Sequence, residues 1–257
     1  MTFKKNRLIL ALLLTGFCLP SSLFLNSQDK QENPMNNASE KLIFEDTFDQ
    51  KNENWVLEKW HDEEGTMAFE DGKLKLTTIE NKEKKLGVDG IMVWLKKELP
   101  KNFKFECDVT PTSKSGFFLL FFCIKSQDGK DILSPEILNE KMGGTLFKKY
   151  TSSSINGYHI SYRRNEAANC NLRKNSGMEL LHQTILEKNM PKDKTVHLVL
   201  TKKGGHIRMT IDDTVFMDFT DDGSKNGSIR EGGRIGFRQV YESSGFYDNV
   251  KLYDLDK

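Results

Sequence analysis

From residue 41 onward the apolar positions recur mainly at every second residue, the period of a strand with one face buried and one face wet. The clearest run is Phe103 to Val109, where Phe103, Phe105, Cys107 and Val109 point one way and Lys104, Glu106 and Asp108 the other. The same pattern predicts strands over Leu42–Phe48, Ile91–Leu95, Met178–Thr184, Thr195–Lys202, His206–Ile211, Val215–Thr220, Gly233–Val240 and Phe246–Tyr253, and a hairpin over Thr66–Thr78 about Asp71-Gly72. Tyr158–Asn175 reads as two short strands and their connection. Phe117–Ile124 (FFLLFFCI) is apolar on both faces, which predicts a central strand covered on both sides or lining a hydrophobic cleft. About a dozen strands exceed what one open sheet holds, so the chain is expected to be all-β, a jelly-roll sandwich of two antiparallel sheets. Residues 126–154 break the alternation with Asp128-Gly129, Ser134-Pro135 and Gly143-Gly144. They predict a long insertion, with one helical turn over Glu136–Lys141, that walls or covers a functional face.

The start of the chain follows different rules. Lys4, Lys5 and Arg7 precede an apolar run from Leu8 that continues to Leu19 and stops at Pro20, Ser21 and Ser22. This is a secretory signal pattern over residues 1–25, too short for a membrane span, and it implies an exported protein, periplasmic or extracellular. A second reading makes Cys18 a lipid-attachment point; bulky Phe17 stands against it, because the residue before such a cysteine should be small. Residues 26–40 are polar and aperiodic, a flexible leader, and 41–257 then form the single sandwich domain. The 38 basic and 37 acidic residues leave a net charge of +1, which gives no case for nucleic acid or an anionic membrane as partner. Beyond the signal, Cys107, Cys123 and Cys170 are odd in number and lack metal-like spacing, so free core thiols are expected. Cys107 and Cys123, read as lying on neighbouring strands, form the one pair that a disulfide would join.

The densest chemistry lies in Tyr158–Asn175, YHISYRRNEAANCNLRKN. Strand alternation puts His159, Ser161 and Arg163 on one face and Tyr158, Ile160, Tyr162 and Arg164 on the other, a composition suited to an anionic or hydroxyl-rich ligand. With the FEDTF start, GIMVWL at 90–95, the LLFFC strand, GRIGFRQV and the closing YDNVKLYD, this stretch resembles the YesU-like proteins, a family of unknown function found beside carbohydrate-utilisation enzymes. It is more distantly similar to the concanavalin A-like lectin and glucanase superfamily. The resemblance spans nearly all of the chain after residue 41 and implies a jelly roll in a saccharide context. Retaining glucanases of that superfamily carry an ExDxxE pair; here Glu106-Cys107-Asp108 is followed by Pro111 where the second glutamate would stand, which disfavours that mechanism.

Two functional readings follow. In the first, the protein is an enzyme of polysaccharide breakdown, a lyase or glycosidase acting on an acidic or sulfated oligosaccharide. His159 or Tyr162 would move the proton, Arg163, Arg173 and Arg238 would clamp the anion, and Asn171 and Gln239 would orient hydroxyls. In the second, the same array with Trp94 stacked on a sugar ring forms a non-catalytic, lectin-like module. Plain scaffolding, with the arginines paired to Glu106 and Asp108 and Trp94 in the core, is the bland alternative. The chemistry requires no cofactor; a structural calcium is expected only if Glu45 or Asp46 meets Asp248 across the first and last strands.

Overall fold

The computed structural model describes residues 40–61, 64–79, 90–114, 116–141, 144–152, 154–164, 169–185, 190–240 and 242–256, without the side chains of Phe117, Arg163 and Arg164. The signal, Cys18 and nearly all of the leader lie outside the described residues.

The strands are β1 (Lys41–Asp46), β2 (Trp55–Lys59), β3 (Gly65–Glu70), β4 (Lys73–Thr78), β5 (Ile91–Leu95), β6 (Phe103–Pro111), β7 (Gly116–Ser126), β8 (Ile155–Arg164), β9 (Asn169–Asn175), β10 (Glu179–Ile185), β11 (Val196–Lys203), β12 (His206–Ile211), β13 (Thr214–Thr220), β14 (Arg234–Val240) and β15 (Ser244–Asp254). They form two antiparallel sheets. One runs β13-β12-β11-β6-β15-β4-β3 with β1 paired to β15, and the other runs β10-β9-β8-β7-β14-β5-β2. The first and last strands lie side by side, from Lys41↔Asp254 to Asp46↔Val250.

Local chemistry explains most of these elements. In β6 burial alternates without a break, Phe103, Phe105, Cys107, Val109 and Pro111 turning inward. The β3–β4 hairpin turns through Asp71 and Gly72 at φ 53° and 67°, the left-handed pair that a two-residue hairpin needs. Between the sheets lies the main core, with Phe118, Leu120 and Phe122 of β7 facing Phe103, Phe105 and Leu252 of the opposite sheet.

The outer face of β7 is apolar for a second reason. Leu119, Phe121 and Ile124 pack with Met92, Trp94, Ile132, Ile137, Leu146, Tyr150 and Ile155 in a separate cluster. That cluster is closed by the insertion, which folds into α1 (Pro135–Asn139) and α2 (Leu146–Thr151). Ser134 and Thr145 cap the two helices, accepting from Ile137 N and Lys148 N. Helices this short do not hold their shape alone, so burial against the sheet supplies the stability. One strand is added to those expected, and two expectations are corrected. Trp55–Lys59 is a strand, the insertion carries a second helix, and Cys107 and Cys123 sit on consecutive strands of different sheets, where both are free and buried.

Candidate functional site

Strand register arranges the outer face of the seven-stranded sheet into two parallel rows. One row runs Gln183, Asn171, Ser161, Leu119, Arg238, Met92 and Glu58 from β10 to β2. The next runs Leu180, Arg173, His159, Phe121, Gly236, Trp94 and Val56. His159, Arg173, Arg238, Asn171 and Trp94 thus share one face, brought together from four strands far apart in sequence.

Over the β2-to-β8 part of this face lies the insertion. Tyr150 of α2 tilts against Trp94 with ring centroids 4.9 Å apart, and Gly236 beneath leaves room for the indole, since a Cβ there would lie 2.4 Å from it. Glu58 gathers the polar ends: Oε2 accepts from Trp94 Nε1 at 2.9 Å and from Tyr150 Oη at 2.5 Å, and Oε1 from Lys149 Nζ at 2.6 Å. The Lys149 ammonium also donates to the carbonyls of Ile137 at 2.5 Å and Leu138 at 3.3 Å, which spends its three protons and ties α1 to α2. A second buried lysine uses the same pattern. Lys174 Nζ meets Asp221 Oδ2 at 2.8 Å and the carbonyls of Lys225 and Gly227, pinning the 221–227 loop to β9. Tyr158 donates to the same carboxylate at 2.5 Å. Burial alone would raise Asp221, but these two bonds outweigh it and hold the carboxyl below its usual range.

His159 is 1% exposed, stacked on Phe121 at 4.8 Å with Phe147 edge-on, and its Nδ1 meets the Asn175 amide at 2.9 Å. Burial, followed by the charges of Arg238 and Arg173, pushes its pKa down to about 3, so the ring is neutral at pH 7. Arg238 is itself buried, its guanidinium 4.6 Å from the Phe147 ring centroid. Trp94 faces the expected side but is 0% exposed beneath Tyr150, which leaves no ring face for a sugar.

Tyr162 and Gln239 point the other way, into the space between the sheets. Tyr162 Oη accepts from Met190 N at 2.5 Å, and the Gln239 amide meets Tyr247 Oη at 3.1 Å. An inward strand position cannot also line the outer face, so neither reaches a ligand there. The side chain of Arg163 lies outside the described residues. Glu106 and Asp108 are on the outer face of the opposite sheet, engaged with Lys104, His197 and Asn249, so they are not partners of the arginines. The three calcium candidates do not converge. Asp46 turns inward to Trp55 Nε1 and Asn52, Asp248 holds Lys73 at 2.6 Å, and Glu45 faces Lys251.

Among the described residues, what the helices leave uncovered is the β8–β10 end, about 10 Å wide by strand spacing. Gln183 Nε2 donates to Asn171 Oδ1 at 2.6 Å, which leaves the Asn171 amide N–H groups and the Gln183 carbonyl facing outward. Ser161, in the same row, is buried. Arg173 spends one N–H on the Met178 carbonyl at 2.8 Å, with its other donors uncommitted among the described residues. Sequence reasoning missed Gln183 and the Glu58–Lys149 clamp. The signal for Gln183 was its place in ELLHQTI; Glu58 stood in a segment for which no strand was predicted.

Comparison with known proteins gives the molecule a family. The uncharacterized protein YesU of Bacillus subtilis (strain 168) is 28% identical over 197 residues, 74% of this chain and 86% of that protein. A Bacillus subtilis protein of unknown function with a galectin-like fold has a crystal structure similar at TM-score 0.71 and 25% identity, over 82% of this chain and 95% of that one. A laminarinase from Flavobacterium sp. UMI-01 shares the fold at TM-score 0.54 and 12% identity, over 83% of this chain and 100% of that one. The YesU-like resemblance and the sandwich class are borne out, and the laminarinase likeness concerns the fold alone. With residues 41–252 matching its model, the chain belongs to the DUF1961 family, a domain of unknown function.

Proposed function

We propose that this protein is an exported carbohydrate-binding protein that holds an acidic or sulfated saccharide on the β8–β10 end of the seven-stranded sheet. One observation carries the reading: Arg173, half-buried and with donors uncommitted among the described residues, sits beside the Asn171–Gln183 pair on the part of the face that the two helices leave free. Together they offer charged donors, an amide donor and an amide carbonyl, the mixture that recognises a carboxylate or sulfate flanked by hydroxyls. Binding is favoured over proton transfer by the state of the acid/base candidates. His159 is neutral, buried and sandwiched by Phe121 and Phe147, and Tyr162 faces the core. The sole carboxylate in the two described rows, Glu58, is consumed by Lys149, Tyr150 and Trp94.

The test is an array of acidic, sulfated and neutral oligosaccharides probed with the wild type and with Arg173→Ala and Asn171→Ala, alongside assays for new reducing ends and unsaturated products. Arg173→Ala is expected to weaken acidic ligands at least about tenfold, the worth of a charge-assisted hydrogen bond, and to flatten the salt dependence. Acidic ligands that bind equally well to Arg173→Ala, or a panel in which none binds, would refute the assignment.

A further inference from the structure

A second opening lies on the same side of the sheet, at the far end of β14. A cleft of about 300 Å³ is bounded by the end of β7, the 129–132 segment and the Gly232-Gly233 turn that leads into β14. Along β14, Arg234 at this cleft and Arg238 beneath α2 are four residues apart on one face, roughly 13 Å along the strand.

Two kinds of polar group line it. Arg234 and Asp131 close on each other, Nε to Oδ1 at 3.0 Å and Nη2 to Oδ2 at 2.5 Å, and Arg234 also donates to the Lys96 carbonyl. Asp131 takes a further bond from Leu133 N at 3.0 Å, and the Arg234 contact holds its carboxyl below the usual range. This pair is a rigid, neutral wall. Lys125 and Glu98 are different: among the described residues neither has an ion pair or a hydrogen bond. The Lys125 side chain lies along the glycine turn, where a Cβ on Gly232 would come within 2.9 Å of its Nζ and one on Gly233 within 2.8 Å of its Cγ. Both glycines have positive φ, 61° and 82°. The turn therefore lies against the Lys125 side chain, which lines the cleft. Lys130, at the rim, is spent on Glu136 and Asp128.

One uncommitted cation and one uncommitted anion line the same cleft beside the neutral Arg234–Asp131 pair. An anion would meet Glu98 and a cation would meet Lys125, whereas a hydroxyl accepts from the ammonium and donates to the carboxylate. We infer that this cleft is a second binding site, for a neutral, hydroxyl-rich ligand of about one sugar ring, distinct from the cationic β8–β10 face. Its volume is at the lower end for ligand pockets, which suits a single ring or chain end.

The experiment is an NMR titration of the ¹⁵N-labelled full chain with glucose, galactose, mannose, xylose and their methyl glycosides, with sodium sulfate and glycine as charged controls. Saturable shifts of the Gly129, Gly232 and Gly233 amides with at least one sugar, weakened about tenfold or more by Lys125→Ala and by Glu98→Ala and unchanged by Arg173→Ala, are expected. Both substitutions are on exposed side chains, so the fold is retained. Absence of saturable shifts with every sugar, tighter binding of sulfate or glycine than of any sugar, or sugar binding indifferent to both substitutions would overturn the site. Arg173→Ala separates this result from the β8–β10 reading, since each site then fails without the other.

Discussion

Lys149→Met asks whether the insertion is truly locked onto the sheet. Lys149 is fully buried and Glu58 nearly so, and the methionine matches the lysine stem in length while removing its charge. The Glu58 carboxylate would keep Tyr150 and Trp94 as donors but lose its counter-ion, and the Ile137 and Leu138 carbonyls would each lose the ammonium as a donor. Breaking a buried pair from one side costs ~3–5 kcal/mol, because an uncompensated charge is left in a low-dielectric site. For a domain of this size that corresponds to a Tm lower by ~10 °C. Adding Glu58→Gln removes the stranded charge while keeping an acceptor for Tyr150 and Trp94, so the double variant should cost less than the sum of the singles by ~1–3 kcal/mol. Urea unfolding followed by tryptophan fluorescence and circular dichroism measures all three. If Lys149→Met costs under ~1 kcal/mol, or the two substitutions simply add, the clamp is not buried and the covered face would have to be regarded as open.

Acid should destabilise the protein through His159. Its folded pKa of about 3 lies below the ordinary ~6.5 of the unfolded chain, so the unfolded state takes up the proton first. The stabilisation is whole above ~6.5 and is lost as pH falls from there toward 3, by at most ~1.4 kcal/mol per unit. Thermal melts between pH 7 and 4 should show a shallower decline for His159→Gln than for the wild type; parallel curves would contradict the neutral, buried ring. Gly236→Ala places a methyl 2.4 Å from the Trp94 ring and 2.9 Å from the Val93 carbonyl, and should cost ~1–3 kcal/mol with a red-shifted tryptophan emission as the indole is displaced. A Tm within 1 °C of the wild type would mean that Trp94 does not lie flat on this strand.

The strands were legible because alternation is a local property. Phe103–Pro111 and His206–Ile211 each carry their inward residues at a spacing of two, and the Asp71-Gly72 turn is written in two adjacent residues. Even the two-faced apolarity of FFLLFFCI correctly announced cover on both sides of β7. Trp55–Lys59 escaped because, at a sheet edge, only Trp55 and Glu58 are fully buried, and one is a carboxylate.

The candidate site was less legible for the same physical reason. Alternation says that His159 and Tyr162 face opposite ways, but which way is outward depends on which sheet packs behind the strand, and that is a tertiary fact. Each row across the outer face draws one residue from each of seven strands in the order β10-β9-β8-β7-β14-β5-β2, an order no single segment encodes. Hence Arg173 and Gln183, or Glu58 and Lys149, become neighbours only after pairing and helix docking. By itself, then, the sequence determined the sandwich, the Asp71-Gly72 hairpin turn, the near-neutral charge balance and the presence of polar chemistry in Tyr158–Asn175. The tertiary structure alone decided that Trp94 and His159 are covered, that Tyr162 and Gln239 are core, and that Arg173 and Asn171 stay open. Burial is conferred by what packs on top, and here that cover is a separate pair of helices anchored by one buried ammonium.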